Sequence, residues 1–188
     1  MFEIRIHGRG GQGAVLASSI LAQAFVDEGK YVVAIPSFGF ERRGAPVSAC
    51  LRADDREIRG LTNIYRPDCV ICIDPTLPRM VDIFAGLKSG GTLVQASSLR
   101  PEAIARPATV ETLGLCDAVG IALEIFGKPI TNSIMLGAFA RTTGLVSLDS
   151  LMGALERAEF RDAGLAQNRR AMQRGYAETE VFAPEAVA

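Results

Sequence analysis

The chain opens with Phe2-Glu-Ile-Arg-Ile-His7, a glycine cluster Gly8-Arg-Gly-Gly-Gln-Gly13, and then residues 14–26, a run with few polar side chains. That order reads as strand, turn and helix, so the fold begins with a βα unit. Phe2, Ile4 and Ile6 alternate with Glu3, Arg5 and His7, the period of a β-strand. The run after Gly13 has no breaker and suits a helix of roughly three to four turns with a buried face. Gly8, Gly10 and Gly13 match GxGxxG, where glycine permits a tight turn, close approach of a ligand to backbone, and close packing of helix on strand. The first helical turn also carries N–H groups without helical partners, a ready site for an anion.

A dinucleotide site of the usual kind needs an acid at the end of the second strand, about 20 residues further on, to hold ribose hydroxyls. The second strand is Tyr31-Val-Val-Ala-Ile35, and it runs into Pro36-Ser37-Phe38 with no acid at its end. The glycine turn can therefore serve a nucleotide, another protein, or only the building of the first βα unit.

Residues 36–46, Pro-Ser-Phe-Gly-Phe-Glu-Arg-Arg-Gly-Ala-Pro, have no regular period and form a loop of specific shape. It leaves a strand at the carboxyl edge of the sheet, where open α/β proteins place their sites. Phe38 and Phe40 beside Glu41, Arg42 and Arg43 favour an interface or pocket wall over a solvated turn, because aromatics with arginine typify recognition surfaces.

Further on, residues 47–52 alternate as a strand, and Asp54-Asp55 turns the chain into a second short arm at residues 57–59, an antiparallel ribbon beside the parallel core. Cys69-Val-Ile-Cys-Ile73 is a continuous apolar run, the pattern of a strand buried on both faces. Asp74 before Pro75 at its end is either a ligand contact or a turn cap. A helix over residues 77–87, a strand over 92–96, one helical turn near 101–105 and an outer strand over 109–113 follow. Helices then dominate: 117–126, stopped by Gly127-Lys128-Pro129; 134–140, capped by Asn132 and carrying Gly137 at a close packing point; one opened by Ser147 or Asp149 and running through Ala158; and 168–176. The fold class is α/β, a three-layer Rossmann-like, mostly parallel sheet with an antiparallel ribbon and C-terminal helices. Residues 1–176 form a single domain and 177–188 a tail.

At 188 residues the chain is long enough for one domain with a real core. Its net charge of −1 offers no electrostatic footprint for nucleic acid. No apolar run reaches transmembrane length and the start lacks a signal-peptide pattern, so a cytoplasmic protein with no membrane contact is expected. Cys69 and Cys72 form CxxC, but residues three apart on a strand face opposite ways, which is poor geometry for one metal. A redox CxxC would instead sit at a helix start. With Cys50 and Cys116 they are read as structural thiols, and no metal ligands are assigned. His7 is the only histidine. It can act as a base or be structural, and no serine or cysteine has a second histidine to activate it. No Walker A lysine, HExxH or GxSxG appears either. No catalytic residue is assigned, and the pattern is that of a subunit.

Gly8-Arg-Gly-Gly-Gln-Gly13, Phe38-Gly-Phe-Glu-Arg-Arg-Gly-Ala-Pro46, Cys69-Val-Ile-Cys-Ile-Asp74, and Gly127-Lys-Pro-Ile-Thr-Asn132 with Met135-Leu-Gly-Ala138 together resemble the gamma subunit of the 2-oxoacid:ferredoxin oxidoreductases. The likeness covers nearly the whole chain, with a matching stretch from Asn168 to Gly175, and the pyruvate type is nearer than the 2-oxoglutarate type. It implies a complex with alpha, beta and ferredoxin-like delta subunits. Thiamine diphosphate and Mg2+ would sit between the other subunits, the thiamine ylid adding to the 2-oxoacid. CO2 would leave, electrons would pass singly to [4Fe-4S] clusters, and the acyl group would go to coenzyme A. FAD could be carried on an extra subunit. This chain would bind no cofactor alone, but would help to build the complex and line the approach of coenzyme A. The positions implied are Gly8, Gly10, Gly11, Gln12, Gly13, Glu41, Arg42, Arg43 and Asn132. The alternatives are a non-catalytic scaffold of another complex and a stand-alone NAD(P)-binding reductase. The substrate choice spans pyruvate, branched-chain and aryl 2-oxoacids, and the acceptor ferredoxin or NAD.

Overall fold

A computed structural model describes residues 1–36, 44–60, 62–158 and 164–183. The opening pattern becomes β1 (Phe2–Arg9) and α1 (Ala14–Asp27), followed by β2 (Tyr31–Pro36), β3 (Pro46–Asp54), β4 (Cys69–Cys72), β5 (Gly91–Ala96) and β6 (Val110–Cys116). Then come α2 (Ala118–Phe126), α3 (Asn132–Thr143), α4 (Leu148–Glu156), α5 (Leu165–Glu178) and β7 (Glu180–Phe182). The seven strands form one sheet in the order β2-β3-β1-β4-β5-β6-β7. The β1–β4, β4–β5 and β5–β6 pairs are parallel, while β3 runs antiparallel to both its neighbours and β7 antiparallel to β6. Five of the seven strands therefore point the same way, and the expected mostly parallel α/β sheet is present.

The two faces are covered differently. All five α-helices contribute to one apolar cluster with Ile4, Ile6, Leu51, Cys69, Ile71, Ile73 and Val94. The opposite face, with Val70, Cys72, Leu93, Leu113 and Leu115, is covered by Leu77, Ile83, Leu87 and Ile104. These come from turns, so the third layer is built of turns among the described residues. Helices α3 and α5 cross closely because a Cβ at Gly137 would lie 2.1 Å from the carbonyl oxygen of Met172, and one at Gly175 would lie 2.0 Å from that of Ile134. Gly137 is the close packing point expected.

Four local expectations change. Residues 77–87 form no α-helix beyond a 3-10 turn at Leu77–Arg79. Asp82 accepts from the Phe84 amide, and Gly86 at φ +73 lies against the Tyr65 carbonyl, so local turn bonds outweigh the apolar spacing. Residues 57–59 are not a ribbon arm; the antiparallel partners of β3 are β1 and β2. Carbonyls just beyond them, Gly60, Thr62 and Asn63, accept instead from the buried Arg52 guanidinium, itself paired with Glu3. The strand expected at the outer edge extends to Cys116 and is covered by β7, so part of the expected tail, Glu180–Phe182, is sheet. Asn132 is the first residue of α3 rather than its cap, which is Thr131. By contrast, Gly127 ends α2 and Ser147 caps α4, as the residues suggest, while Asp117, expected as the first residue of α2, is its cap.

Candidate functional site

β1 and β4 are parallel neighbours, yet the chain leaves them in opposite directions. From β1 it passes through α1 to β2, on the far side of β3; from β4 it passes to β5. The crevice at their carboxyl ends is the topological switch point of the sheet, where open α/β folds place ligands. The glycine turn stands there. Gly11 and Gly13 have φ of 91° and 79°, left-handed values that disfavour any side chain. Gly8 serves packing, since a Cβ there would lie 2.7 Å from the Ile73 side chain and 3.3 Å from Ala14. The first bond within α1 runs from the Ala17 amide to the Gly13 carbonyl, so the amides of residues 14–16 have no helical acceptor. No side chain caps this terminus and no acid lies in its first turn. The same is true of α3.

The turn is held by a partly buried ion pair that bridges the two strand ends. Arg9 Nε donates to Asp74 Oδ2 at 3.0 Å, and Gln12 Nε2 donates to the same oxygen at 2.6 Å. Thr76 donates to Asp74 Oδ1 from its amide at 2.8 Å and its hydroxyl at 2.5 Å. Burial alone would raise the Asp74 pKa, but the hydrogen bonds from Thr76 and Gln12 and the Arg9 charge outweigh it, and the net shift is downward. The remaining Arg9 donors reach the Gly44 carbonyl at 3.1 Å, Thr76 Oγ1 at 2.6 Å and Met80 Sδ at 2.9 Å. Backbone bonds from the Gly10 amide to the Ala45 carbonyl and from the Gly44 amide to the Gly10 carbonyl tie the turn to the start of β3.

Asn132 completes the cluster. It is buried, its Oδ1 accepts from the Ser133 amide at 3.0 Å, and its Nδ2 lies against Gly13, 2.4 Å from where a Cβ would stand. Thr131 Oγ1 donates to the Ile73 carbonyl at 2.9 Å and pins α3 to the end of β4. The structure therefore brings together Gly8, Gly10, Gly11, Gln12, Gly13 and Asn132. Gln12 is committed internally, because its Oε1 accepts from the Arg9 amide while its Nε2 binds Asp74. Glu41, Arg42 and Arg43 lie outside the described residues. Arg9, Thr76 and Thr131 were missed; the usable signal was Asp-Pro-Thr after a core strand, a motif that closes a turn on its own carboxylate. Asp74 takes the turn role of its two readings and adds the bond to Arg9.

His7 is neutral. Burial and the nearby Arg5 charge lower its pKa to about 4, and its Nε2 accepts from Arg5 Nε at 2.9 Å. Cys69 and Cys72 face opposite sides of the sheet. All four thiols are buried, and burial raises every one: Cys72 to about 12, Cys116 to about 11, Cys50 upward, and Cys69 further still. Among the described residues no group of three or more His, Cys, Asp or Glu is placed to hold a metal ion. The site does not fit a dinucleotide in the usual pose, because β3 stands between β1 and β2 and moves the end of β2 about 10 Å, two strand spacings, from the glycine turn. Among the described residues no helix is long and apolar enough to cross a membrane.

The fold is a mixed α/β sheet with a latched, uncapped helix start at its switch point. Residues 3–178 match the pyruvate ferredoxin/flavodoxin oxidoreductase family, and the chain belongs to that family as a gamma-type subunit. It is 67% identical over 181 residues to the gamma subunit of NADH-dependent phenylglyoxylate dehydrogenase of Aromatoleum evansii, covering 96% of this chain and 95% of the relative. It is 49% identical to the common gamma subunit of the pyruvate/ketoisovalerate oxidoreductases of Thermococcus kodakarensis, over 97% of this chain and 99% of the relative. The crystal structure of pyruvate oxidoreductase subunit PORC from Thermotoga maritima superposes with a TM-score of 0.80 at 38% identity, covering 96% of this chain and 97% of that one.

Proposed function

We propose that this chain is the gamma subunit of a thiamine diphosphate-dependent complex that oxidatively decarboxylates a 2-oxoacid to CO2 and an acyl-CoA, and that the 2-oxoacid is aryl-substituted, of the phenylglyoxylate class. The observation that carries the substrate class is the 67% identity to the phenylglyoxylate dehydrogenase subunit, against 49% to the pyruvate/ketoisovalerate subunit, each over nearly the whole chain. The partners are alpha, beta and ferredoxin-like delta chains. Thiamine diphosphate, when bound between other subunits, supplies the carbanion chemistry, and [4Fe-4S] clusters on other subunits take the electrons. The NADH dependence in that relative's name supports NAD as the final acceptor, and a flavin on an extra subunit would pass the electrons to it.

The part played by this chain is assembly and cosubstrate binding. The uncapped start of α1 supports an anion-binding role toward the phosphates of coenzyme A, with Arg42 and Arg43 adding charge. The test is co-purification of the chain with its partner subunits, followed by viologen reduction with phenylglyoxylate, pyruvate, 2-oxoisovalerate and 2-oxoglutarate, each with and without coenzyme A. Phenylglyoxylate should give the highest kcat/KM, with turnover dependent on coenzyme A. A preference for pyruvate would overturn the substrate class. Arg43→Ala leaving both assembly and the coenzyme A KM unchanged would remove that arginine from the site.

A further inference from the structure

Two arginines clamp this sheet, one at each end of β1, Arg52 buried and Arg9 half-buried. At the amino end Arg52 pairs with Glu3 at 2.8 Å and holds the loop carbonyls of Gly60, Thr62 and Asn63, far from the switch point. At the carboxyl end, six residues and about 20 Å further along β1, Arg9 does something different. Its guanidinium joins the end of β4 (Asp74, Thr76), the Met80 segment and the Gly44 stem that re-enters the sheet. Its own backbone amide is bound by Gln12, which is held in turn by Asp74. The glycine turn, the end of β4 and the Gly44 stem beside the uncapped start of α1 therefore meet at one planar fork, while Asn132 packs on Gly13 independently of it. Lysine cannot reproduce that geometry, because an ammonium on a flexible stem cannot meet three segments in fixed directions.

We propose that Arg9 and Asp74 are positioning residues for the cosubstrate: the pair sets the glycine turn and the Gly44–Ala45 stem in the arrangement that receives an anionic group of coenzyme A, before that ligand arrives. Neither side chain needs to touch the ligand. The proposal rests on the reading that the glycine turn meets coenzyme A. Its physical content is preorganisation, since a turn already held in place does not have to be ordered by the ligand. A site displaced by a fraction of an ångström loses affinity without losing the fold.

The test uses the assembled complex and measures KM for coenzyme A, KM for the 2-oxoacid, kcat and melting temperature. R9K should raise the coenzyme A KM about tenfold while kcat and the 2-oxoacid KM stay within about twofold, the signature of lost binding rather than lost chemistry. D74N should act in the same direction. R52K, the equivalent change at the other end of the sheet, should lower the melting temperature and leave the coenzyme A KM alone. If R9K disrupts assembly, T76V decides the matter. It removes one partner from each member of the pair, two hydrogen bonds in all, keeps the pair itself, and should raise the coenzyme A KM about threefold or more. R9K or T76V lowering only the melting temperature, as R52K does, would reduce the pair to a structural clamp. Gly13→Ala separates the two layers: if it raises the coenzyme A KM while R9K and T76V do not, the positioning role alone fails. If none of these changes moves that KM, the coenzyme A reading of the turn fails as well.

Discussion

Replacing Gly137 with alanine should destabilise the chain, whereas the same replacement at Gly153 should not. Both glycines lie inside α-helices, α3 and α4. A Cβ at Gly137 would stand 2.1 Å from the Met172 carbonyl oxygen and 2.7 Å from the Tyr176 amide nitrogen, both backbone atoms of α5. Ordinary contact needs α5 to retreat by roughly 1 Å, opening the interface that buries Ile134, Ala138, Ala171 and Met172. Overpacking of this kind costs about 1–3 kcal/mol, at the upper end when backbone has to move. The gain in helix propensity returns about 1 kcal/mol, leaving a net loss of about 2 kcal/mol. For a chain of this size that corresponds to a fall in Tm of roughly 4–8 °C. A Cβ at Gly153 would meet nothing within 4 Å. There the propensity gain of up to about 1 kcal/mol stands alone, and Tm should hold or rise by a few degrees. Thermal and urea denaturation followed by far-UV circular dichroism measures both. Equal effects at the two positions would refute the α3–α5 crossing as described.

Two further outcomes follow from buried titratable groups. Unfolded His7 takes up a proton near its ordinary pKa of 6.5 but the folded residue only near 4, so between these values the unfolded chain binds more protons and stability rises with pH. The stabilising contribution is complete above about pH 6.5 and lost by about pH 4, a span worth about 3 kcal/mol. Denaturant titrations at several pH values should show His7→Gln to be flatter across that window, and superimposable profiles would contradict a buried neutral histidine. The four thiols should resist a charged aromatic disulfide reagent in the native chain and all react after denaturation, because burial holds each of them protonated and out of reach; fast reaction of the native chain would show that β3, β4 or β6 is exposed.

Local chemistry explains what could be read from the residues alone. Alternation in Phe2 to His7 and the turn at Gly8 to Gly13 are decided within a few residues, and β1 and α1 follow directly from them. The same holds for Asp117 and Gly127 at the two ends of α2. The segment after Asp74 misled because Leu77, Val81, Phe84 and Leu87 repeat at helical spacing while facing the sheet from a series of turns. The insertion of β3 between β1 and β2 depends on pairings across tens of residues, as in Glu3 with Arg52. The site was half legible for the same reason. Its glycines announce themselves, but Arg9 and Asp74 are 65 positions apart, and only the parallel pairing of β1 with β4 brings them together.

The proposed role is that of a binding and assembly subunit whose chemistry resides elsewhere in the complex. Its most direct test is acyl-CoA formation by the reconstituted partner subunits with and without the chain, measured by mass spectrometry alongside viologen reduction. Phenylglyoxylate and coenzyme A should yield acyl-CoA and reduced viologen only when the chain is present, and the chain alone should yield neither. Full acyl-CoA formation by the partners without it, or turnover by the isolated chain, would contradict that role.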